Sequence, residues 1–339
     1  MEPILTANAL SIGYRQGGKG NKPVQQGLSF RLEPGRMTCL LGPNGVGKST
    51  LLRTLSGSQP FLSGEVLLNG KPLSGCSEKE ISRWIGLVLT DKTYAGGLRV
   101  RELVALGRHP HSGFFGRLDA SDNAAIDRAM EETGIGFKSD SYLSELSDGE
   151  RQKVMISKAL AQECPVILLD EPTAFLDAVS RIEVTHLLHR LARRGKTILL
   201  STHDIEQALQ LADTLWLLSK GEGLAAGTPE DLVLRGELNR VFARGTVAFD
   251  DRTGVFRNSS SGLPAVRVEA ADDTLLFWAG NALFRNGFRP AESGESASCG
   301  LSVQSPTHLE WRDASGNMQL YRSFESLFDA VGRQPLLHL

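Results

Sequence analysis

The sequence predicts an α/β protein with a second, smaller α/β domain at its C-terminal end. Three observations carry that prediction. Five short apolar runs, "MTCLL" (37–41), "IGLVL" (85–89), "VILLD" (166–170), "TILLS" (197–201) and "TLWLL" (214–218), alternate with segments of helical spacing. Continuous apolar runs of that length indicate a parallel sheet buried on both faces. A glycine-rich turn, "GPNGVGKST", joins the first run to the helical segment "STLLRTLSG", as a strand–loop–helix phosphate cradle requires. The last stretch, of about 95 residues, has its own strand and helix patterns and the size of an independent domain.

Taken in order, "LSFRLE" and "GEVLLNG" sit among Gly and Pro turns and predict antiparallel strands beside the parallel sheet. Residues 99–163 carry helical spacing in "VRELVALGR", "SDNAAIDRAMEETGI" and "GERQKVMISKALAQ". They predict a helical subdomain, about 91–163, inserted into the α/β core. A boundary falls at 243–246 after "ELNRVF", dividing domain 1–243 from domain 246–339, and "RNSSSG" (257–262) predicts a further loop. Beyond it, "TVAFDDRTGVF" predicts a hairpin, "AVRVEA" a strand, and "DDTLLFWAGNALFRNGF" a helix begun by Asp and ended by Gly. "THLEWRD" and "GNMQLYRS" predict a strand pair before the helix "FESLFDAVGR", and Phe277, Trp278, Phe284, Trp311, Phe324 and Phe328 are expected in its core.

At 41% hydrophobic and 22% charged residues, the 339-residue chain has the composition of a soluble globular protein. A net charge of −2 gives no electrostatic case for nucleic acid. Cys39, Cys76, Cys164 and Cys299 form no CxxC pair and are expected as buried, reduced thiols. The start lacks a basic region and a long apolar core, so a signal peptide is not expected, and no run spans a bilayer.

The chemistry concentrates in a few segments. Gly42 to Ser49 fits GxxxxGK[ST]: glycines bring N–H groups to phosphate oxygens, Lys48 reaches the terminal phosphates, and the Ser49 hydroxyl suits Mg²⁺. "VILLDEP" ends a strand in two carboxylates, Asp170 placed for a hydrated Mg²⁺ and Glu171 for polarising the attacking water. In "LLSTHD", His203 follows a strand's C-terminal end, where open α/β sheets bind ligands. "LSDGERQKVMISKAL" (146–160) is a second phosphate-binding turn: Ser147 is an N-cap, Asp148 and Gly149 suit a tight turn, and a helix follows.

In this order the segments resemble the ATP-binding subunits of ABC transporters over roughly residues 1–242. The resemblance implies a P-loop cassette that binds ATP and Mg²⁺. It makes Gly42, Pro43, Asn44, Gly45, Val46, Gly47, Lys48, Ser49 and Thr50 the Walker A loop, and Leu146 to Glu150 the signature, with Ser147 and Gly149 touching nucleotide. Asp170 and Glu171 become Walker B and catalytic glutamate, Leu176 and Asp177 the D-loop, His203 the switch histidine, and Tyr14 of "LSIGY" the ring stacked on adenine. Such cassettes pair head-to-tail, each ATP lying between one Walker A and the partner's signature. That pairing accounts for two phosphate turns about 100 residues apart, and a closed two-fold dimer satisfies it.

Two positions depart from the family. Asp148 stands where glycine is usual. A carboxylate 4 Å from a phosphate charge costs about 4 kcal/mol at an effective dielectric of 20, so Asp148 is expected to point away. After "IGLVL" the family's glutamine is absent, and Thr90, with Asp91 beside it, takes the place of the metal-facing residue.

"VRELVALGRHPH" resembles cassettes of importers for iron–siderophore complexes, haem and cobalamin. His109 and His111 lack carboxylate or thiol partners and make a poor metal pair; the resemblance puts them on the surface that docks the membrane subunit. It implies a peripheral ATPase on the cytoplasmic face of the inner or plasma membrane. Its partners would be a second copy, two integral permease subunits and, indirectly, a periplasmic or surface substrate-binding protein. Iron–siderophore complexes are the expected cargo, with haem or cobalamin as alternatives. A soluble non-transport ABC ATPase is the competing reading, but no heptad tract of a DNA-repair member and no second cassette are present. The C-terminal domain is expected to be accessory, either regulatory or merely stabilising.

Overall fold

The computed structural model describes residues 2–16, 20–89, 97–112, 117–251, 253–258 and 262–332. Chain contacts divide it into two compact units, Met1–Ala243 with Phe249–Val255, and Arg244–Ala248 with Phe256–Leu339.

In the first unit, β1 (Leu5–Gln16) and β2 (Gly20–Leu32) form a long antiparallel pair. β3 (Met37–Leu41) leads through the glycine loop into α1 (Lys48–Leu55). β4 (Ser63–Leu68) and the two-residue β5 (Lys71–Pro72) complete an antiparallel sheet of order β2-β1-β4-β5. α2 (Glu78–Trp84) starts at a Ser77–Glu80 capping box and runs into β6 (Ile85–Val88). The helical region follows: α3 (Val100–Ala105), α4 (Ala120–Thr133) and α5 (Asp148–Ala161). β7 (Val166–Asp170), α6 (Ala178–Arg193), β8 (Thr197–Ser201), α7 (Ile205–Leu211) and β9 (Thr214–Ser219) alternate as expected. β10 (Gly223–Gly227), α8 (Pro229–Leu234) and α9 (Glu237–Phe242) follow them.

The central sheet has the order β10-β9-β3-β8-β7-β6, and every pair except β10–β9 is parallel. All five residues of β3, β7 and β8 are buried, which is why these strands read as unbroken apolar runs. The two sheets share one core, in which the rings of Phe30 on β2 and Trp216 on β9 lie 4.5 Å apart. Among the described residues no helix is long and apolar enough to cross a membrane.

β11 (Val247–Asp250) and β12 (Val255–Asn258) form the expected hairpin. Asn239 ties Phe249 to the first unit through two bonds, donating to its carbonyl at 3.0 Å and accepting from its N–H at 2.6 Å. Arg257 and Asn258, the first two residues of the expected loop at 257–262, lie in β12 instead, and 259–261 lie outside the described residues.

The second unit contains β13 (Ala265–Ala270), α10 (Asp273–Arg285), β14 (Arg289–Pro290), β15 (Cys299–Ser305), β16 (His308–Arg312), β17 (Met318–Tyr321) and α11 (Phe324–Val331). Its sheet has the order β14-β13-β15-β16-β17. β15, central in this sheet, was not expected; its "CGLSVQS" mixes small and polar residues. Trp311 and Phe328 are in the core, but Phe277 and Trp278 are 49% and 59% exposed. They sit on the outer side of α10, whose inner side presents Ala279, Ala282 and Leu283. Cys39 and Cys164 are buried, whereas Cys76 and Cys299 are only half-buried, a further correction to the sequence reading.

Candidate active site

The glycine loop hangs between β3 and α1. A Cβ at Gly42 would stand 2.5 Å from the Leu218 carbonyl oxygen, and Gly47 has φ +112, so both positions demand glycine. Pro43 accepts the Val46 N–H at 3.3 Å, Asn44 and Gly45 are exposed, and Val46 is buried. Lys48 opens α1, and its ammonium donates to the carbonyl oxygens of Gly42 at 2.8 Å and Pro43 at 3.4 Å. Burial lowers its pKa, against the opposing pull of the Glu171 and Asp170 charges. Ser49 is half-buried in the first turn, and the buried Thr50 places its hydroxyl 3.4 Å from that of Tyr14. Tyr14 itself is 49% exposed, so its ring is open to a flat ligand beside the loop.

β7 ends in the buried Asp170, and α1 packs against this strand. Glu171 follows with φ +47, a left-handed backbone. Its Oε1 is 2.5 Å from His203 Nε2, so the two groups expected to act together do meet. A small cavity of about 190 Å³ opens beside them, lined also by Thr173, Arg181 and Asp204.

Ser147, Gly149 and Asp177 form a second group. Ser147 caps α5: its hydroxyl accepts the Glu150 N–H at 3.2 Å, while the Glu150 carboxylate accepts the Ser147 N–H at 2.9 Å and hydroxyl at 3.1 Å. Asp148 and Gly149 were expected in a tight turn; both lie in the first turn of α5, and neither has positive φ. The S-x-x-E capping box extends the helix to Ser147 and removes any need for a left-handed residue. The Asp148 carboxylate pairs with Arg151 at 3.5 Å. Gly149 packs on α6, where a Cβ would meet Ser180 Oγ at 2.7 Å. Asp177 caps α6, accepting the Ser180 N–H at 2.8 Å and hydroxyl at 3.1 Å. Among the described residues no hydrogen bond or ion pair joins this group to Gly42–Thr50. Thr90 and Asp91 lie outside the described residues.

Two buried polar residues beside the site escaped the sequence reading. The buried Gln25 amide donates to Val46 O at 3.0 Å and Ser219 O at 2.8 Å, pinning the glycine loop to β9. Ser201, ending β8, bonds both Asp170 and Glu171. Its only sequence signal is a hydroxyl at the C-terminal end of "TILLS".

The histidines of "GRHPH" do not converge. His111 Nε2 bonds the Gln162 carbonyl at 2.9 Å, and His109 lines an open groove of about 970 Å³ with Leu106, Pro110 and Glu78. No group of three metal-ligating side chains occurs among the described residues. That is what Mg²⁺ allows, since it is held by one or two protein oxygens plus phosphates and water. The Ser49 hydroxyl and the Asp170 carboxylate, on packed elements, are oxygen donors of the right kind.

An ammonium, a helix N-terminus, a buried carboxylate and a Glu–His pair thus gather at the C-terminal ends of parallel strands, a constellation suited to phosphoryl transfer. The sequence matches the ABC transporter family over residues 25–174 and the iron ABC transporter C-terminal domain over residues 263–332. It is 38% identical over 248 residues to the ferric enterobactin transport ATP-binding protein FepC of Escherichia coli, covering 73% of this chain and 90% of that one. It is also 38% identical over 239 residues to the iron(3+)-hydroxamate import ATP-binding protein FhuC of Bacillus subtilis, covering 70% and 87%. The solved structure of cbiO1 from Clostridium perfringens, part of the ABC transporter complex cbiONQ, aligns with TM-score 0.60 and 29% identity over 71% of this chain and 94% of that one. Cradle geometry, strand order and these matches agree, and the chain belongs to the ATP-binding subunits of ABC transporters, an ATPase with an iron-type C-terminal domain.

Proposed function

We propose that this ATPase energises import of iron–siderophore complexes from the cytoplasmic face of a membrane. The observation that carries the cargo reading is the pairing of an ABC cassette with an iron-transporter C-terminal domain in one chain, beside relatives named for ferric enterobactin and iron(3+)-hydroxamate. Within the site, Lys48 and the loop N–H groups hold the ATP phosphates, Tyr14 holds adenine, and Ser49 and Asp170 are the residues that would hold Mg²⁺. That ion would neutralise charge on the phosphates. Glu171 orients and polarises the attacking water, and His203, already against Glu171, reaches the γ-phosphate.

The separation of Ser147–Gly149 from the Lys48 loop supports a two-copy arrangement, each signature completing the other's site. Asp177 assists from the same side. Thr90 stays a candidate metal-facing residue on sequence grounds alone. The groove lined by Leu106, His109 and Pro110 is the docking place for one of two permease subunits, which in turn meet the substrate-binding protein. Residues 1–243, with the stretch Phe249–Val255 that belongs to the same compact unit, act as the motor, and the rest of 246–339 as the accessory domain.

Uptake assays in a deletion strain test this. Loss of ferric siderophore uptake, restored by the gene but not by its Glu171→Gln form, is expected. Intact siderophore uptake with lost haem or cobalamin uptake reassigns the cargo. Failure to co-purify with any polytopic membrane protein rejects a transport role.

A further inference from the structure

Ser201 closes β8 directly beside Asp170, its parallel register partner on β7. It is fully buried, and a buried hydroxyl is costly unless bonded. Here it makes two bonds of opposite sense. It donates to Asp170 Oδ1 at 2.6 Å and accepts the Glu171 N–H at 3.0 Å. The Ser201 carbonyl shares that N–H at 3.1 Å.

One hydroxyl therefore reaches both acidic residues at the tip of β7. The bond to Oδ1 fixes the rotation of the Asp170 carboxylate. The bond to the Glu171 amide holds a non-glycine residue at φ +47, a conformation that persists only where its surroundings over-determine it. The conformation in turn sets the direction in which the Glu171 side chain leaves the strand, toward His203 Nε2.

We propose that Ser201 is a positioning residue for ATP hydrolysis, aligning the Asp170 carboxylate and the Glu171 backbone through a single hydroxyl. The assignment rests on the roles proposed above for Asp170 and Glu171. It gives a role to a residue two positions before His203 that none of the site assignments above includes.

The test compares full-length Ser201→Ala, Ser201→Thr and Glu171→Gln proteins. Ser201→Ala should lower kcat about 10- to 100-fold, the rate equivalent of one hydrogen bond to a charged group. Equilibrium binding of metal-free ATP should stay within about 2-fold, because the Lys48 loop and Tyr14 are untouched. Ser201→Thr keeps the hydroxyl on a strand that suits β-branching and should recover most of the rate. A readout independent of turnover is Mn²⁺ binding to the protein loaded with a non-hydrolysable ATP analogue, followed by electron paramagnetic resonance. Affinity should fall about 10-fold in Ser201→Ala and recover in Ser201→Thr.

Wild-type kcat in Ser201→Ala, unchanged Mn²⁺ affinity, or equal losses in the Ala and Thr variants would each overturn the proposal. If Ser201→Ala does not fold, Ser201→Cys, which retains volume but donates weakly, takes its place with the same expectations. Full turnover in Glu171→Gln overturns the underlying roles instead, whatever Ser201 does.

Discussion

Arg108 offers the sharpest test of what holds the helical region together. Its side chain is 5% exposed and makes three bonds. Nε donates to Asp122 Oδ1 at 2.8 Å, and Nη1 donates to the Ala161 carbonyl and to Glu163 Oε2, both at 2.7 Å. One guanidinium thus joins the start of α4, the end of α5 and the turn before β7. Arg108→Met keeps much of the stem and removes the charge. Glu163 is then still paired with Arg128 at 3.0 Å and half open to water. Asp122 is not: its carboxylate is 8% exposed and, among the described residues, keeps the Asp119 N–H at 3.1 Å as its one other donor. Breaking a buried pair in this way costs about 3–5 kcal/mol. Arg108→Met/Asp122→Asn removes the orphaned charge, and about half of the loss should return. The Arg108 guanidinium, and then the Asp119 N–H, hold the Asp122 pKa below its ordinary value. A depressed folded pKa contributes stability above the unfolded value of about 3.9 and loses it as pH falls through the folded value. The deficit of Arg108→Met should therefore be full at neutral pH and shrink below about pH 4. Urea unfolding at several pH values, read as the midpoint shift of the first unit, measures it. A neutral-pH loss under about 1 kcal/mol, or a deficit that grows toward acid, refutes the argument.

Three further outcomes follow from the site. Glu171→Gln should cut turnover by about 10²–10⁴-fold while ATP binding persists, checked by single-turnover hydrolysis beside equilibrium nucleotide binding. Tyr14→Ala should raise KM about 5- to 10-fold for ATP and GTP alike, since stacking tolerates either base; an unchanged KM in steady-state assays moves the adenine elsewhere. Truncation after Asn258 should leave a folded ATPase, whereas truncation after Ala243 strips the buried Phe249 from Asn239 and should lower the melting temperature; differential scanning calorimetry of both forms distinguishes them.

The motifs were legible because each is local. Gly42–Thr50 and "VILLDE" carry their chemistry within a few residues, on strands whose burial on both faces leaves an unbroken apolar signature. What escaped depends on distant chain. Gln25 reaches Ser219 across 194 positions, and Ser201 reaches Asp170 across 31; nothing beside either residue announces the partner. Phe277 and Trp278 read as core because composition does not say which side of α10 turns inward. The turn expected at Asp148–Gly149 was a misreading of local signals, since glycine was weighed above the Ser147–Glu150 box that starts the helix one residue earlier. β15 was missed because a central strand of Cys, Gly and Ser lacks the β-branched density on which strand recognition depends.

The cap of α5 makes the signature turn an exchanger rather than an empty socket. The single proton of the Ser147 hydroxyl is already given to Glu150, so a phosphate oxygen must take it from a carboxylate. Glu150 does not end stranded. It keeps the Ser147 N–H, and the Lys138 ammonium stands 3.6 Å from its other oxygen. In the two-copy arrangement proposed above, one acceptor of this hydroxyl would replace another at nearly constant bond count, so little net hydrogen bonding would be gained or lost at this point. Such a contact would recognise an anion while leaving the turn free to reopen when the two copies part.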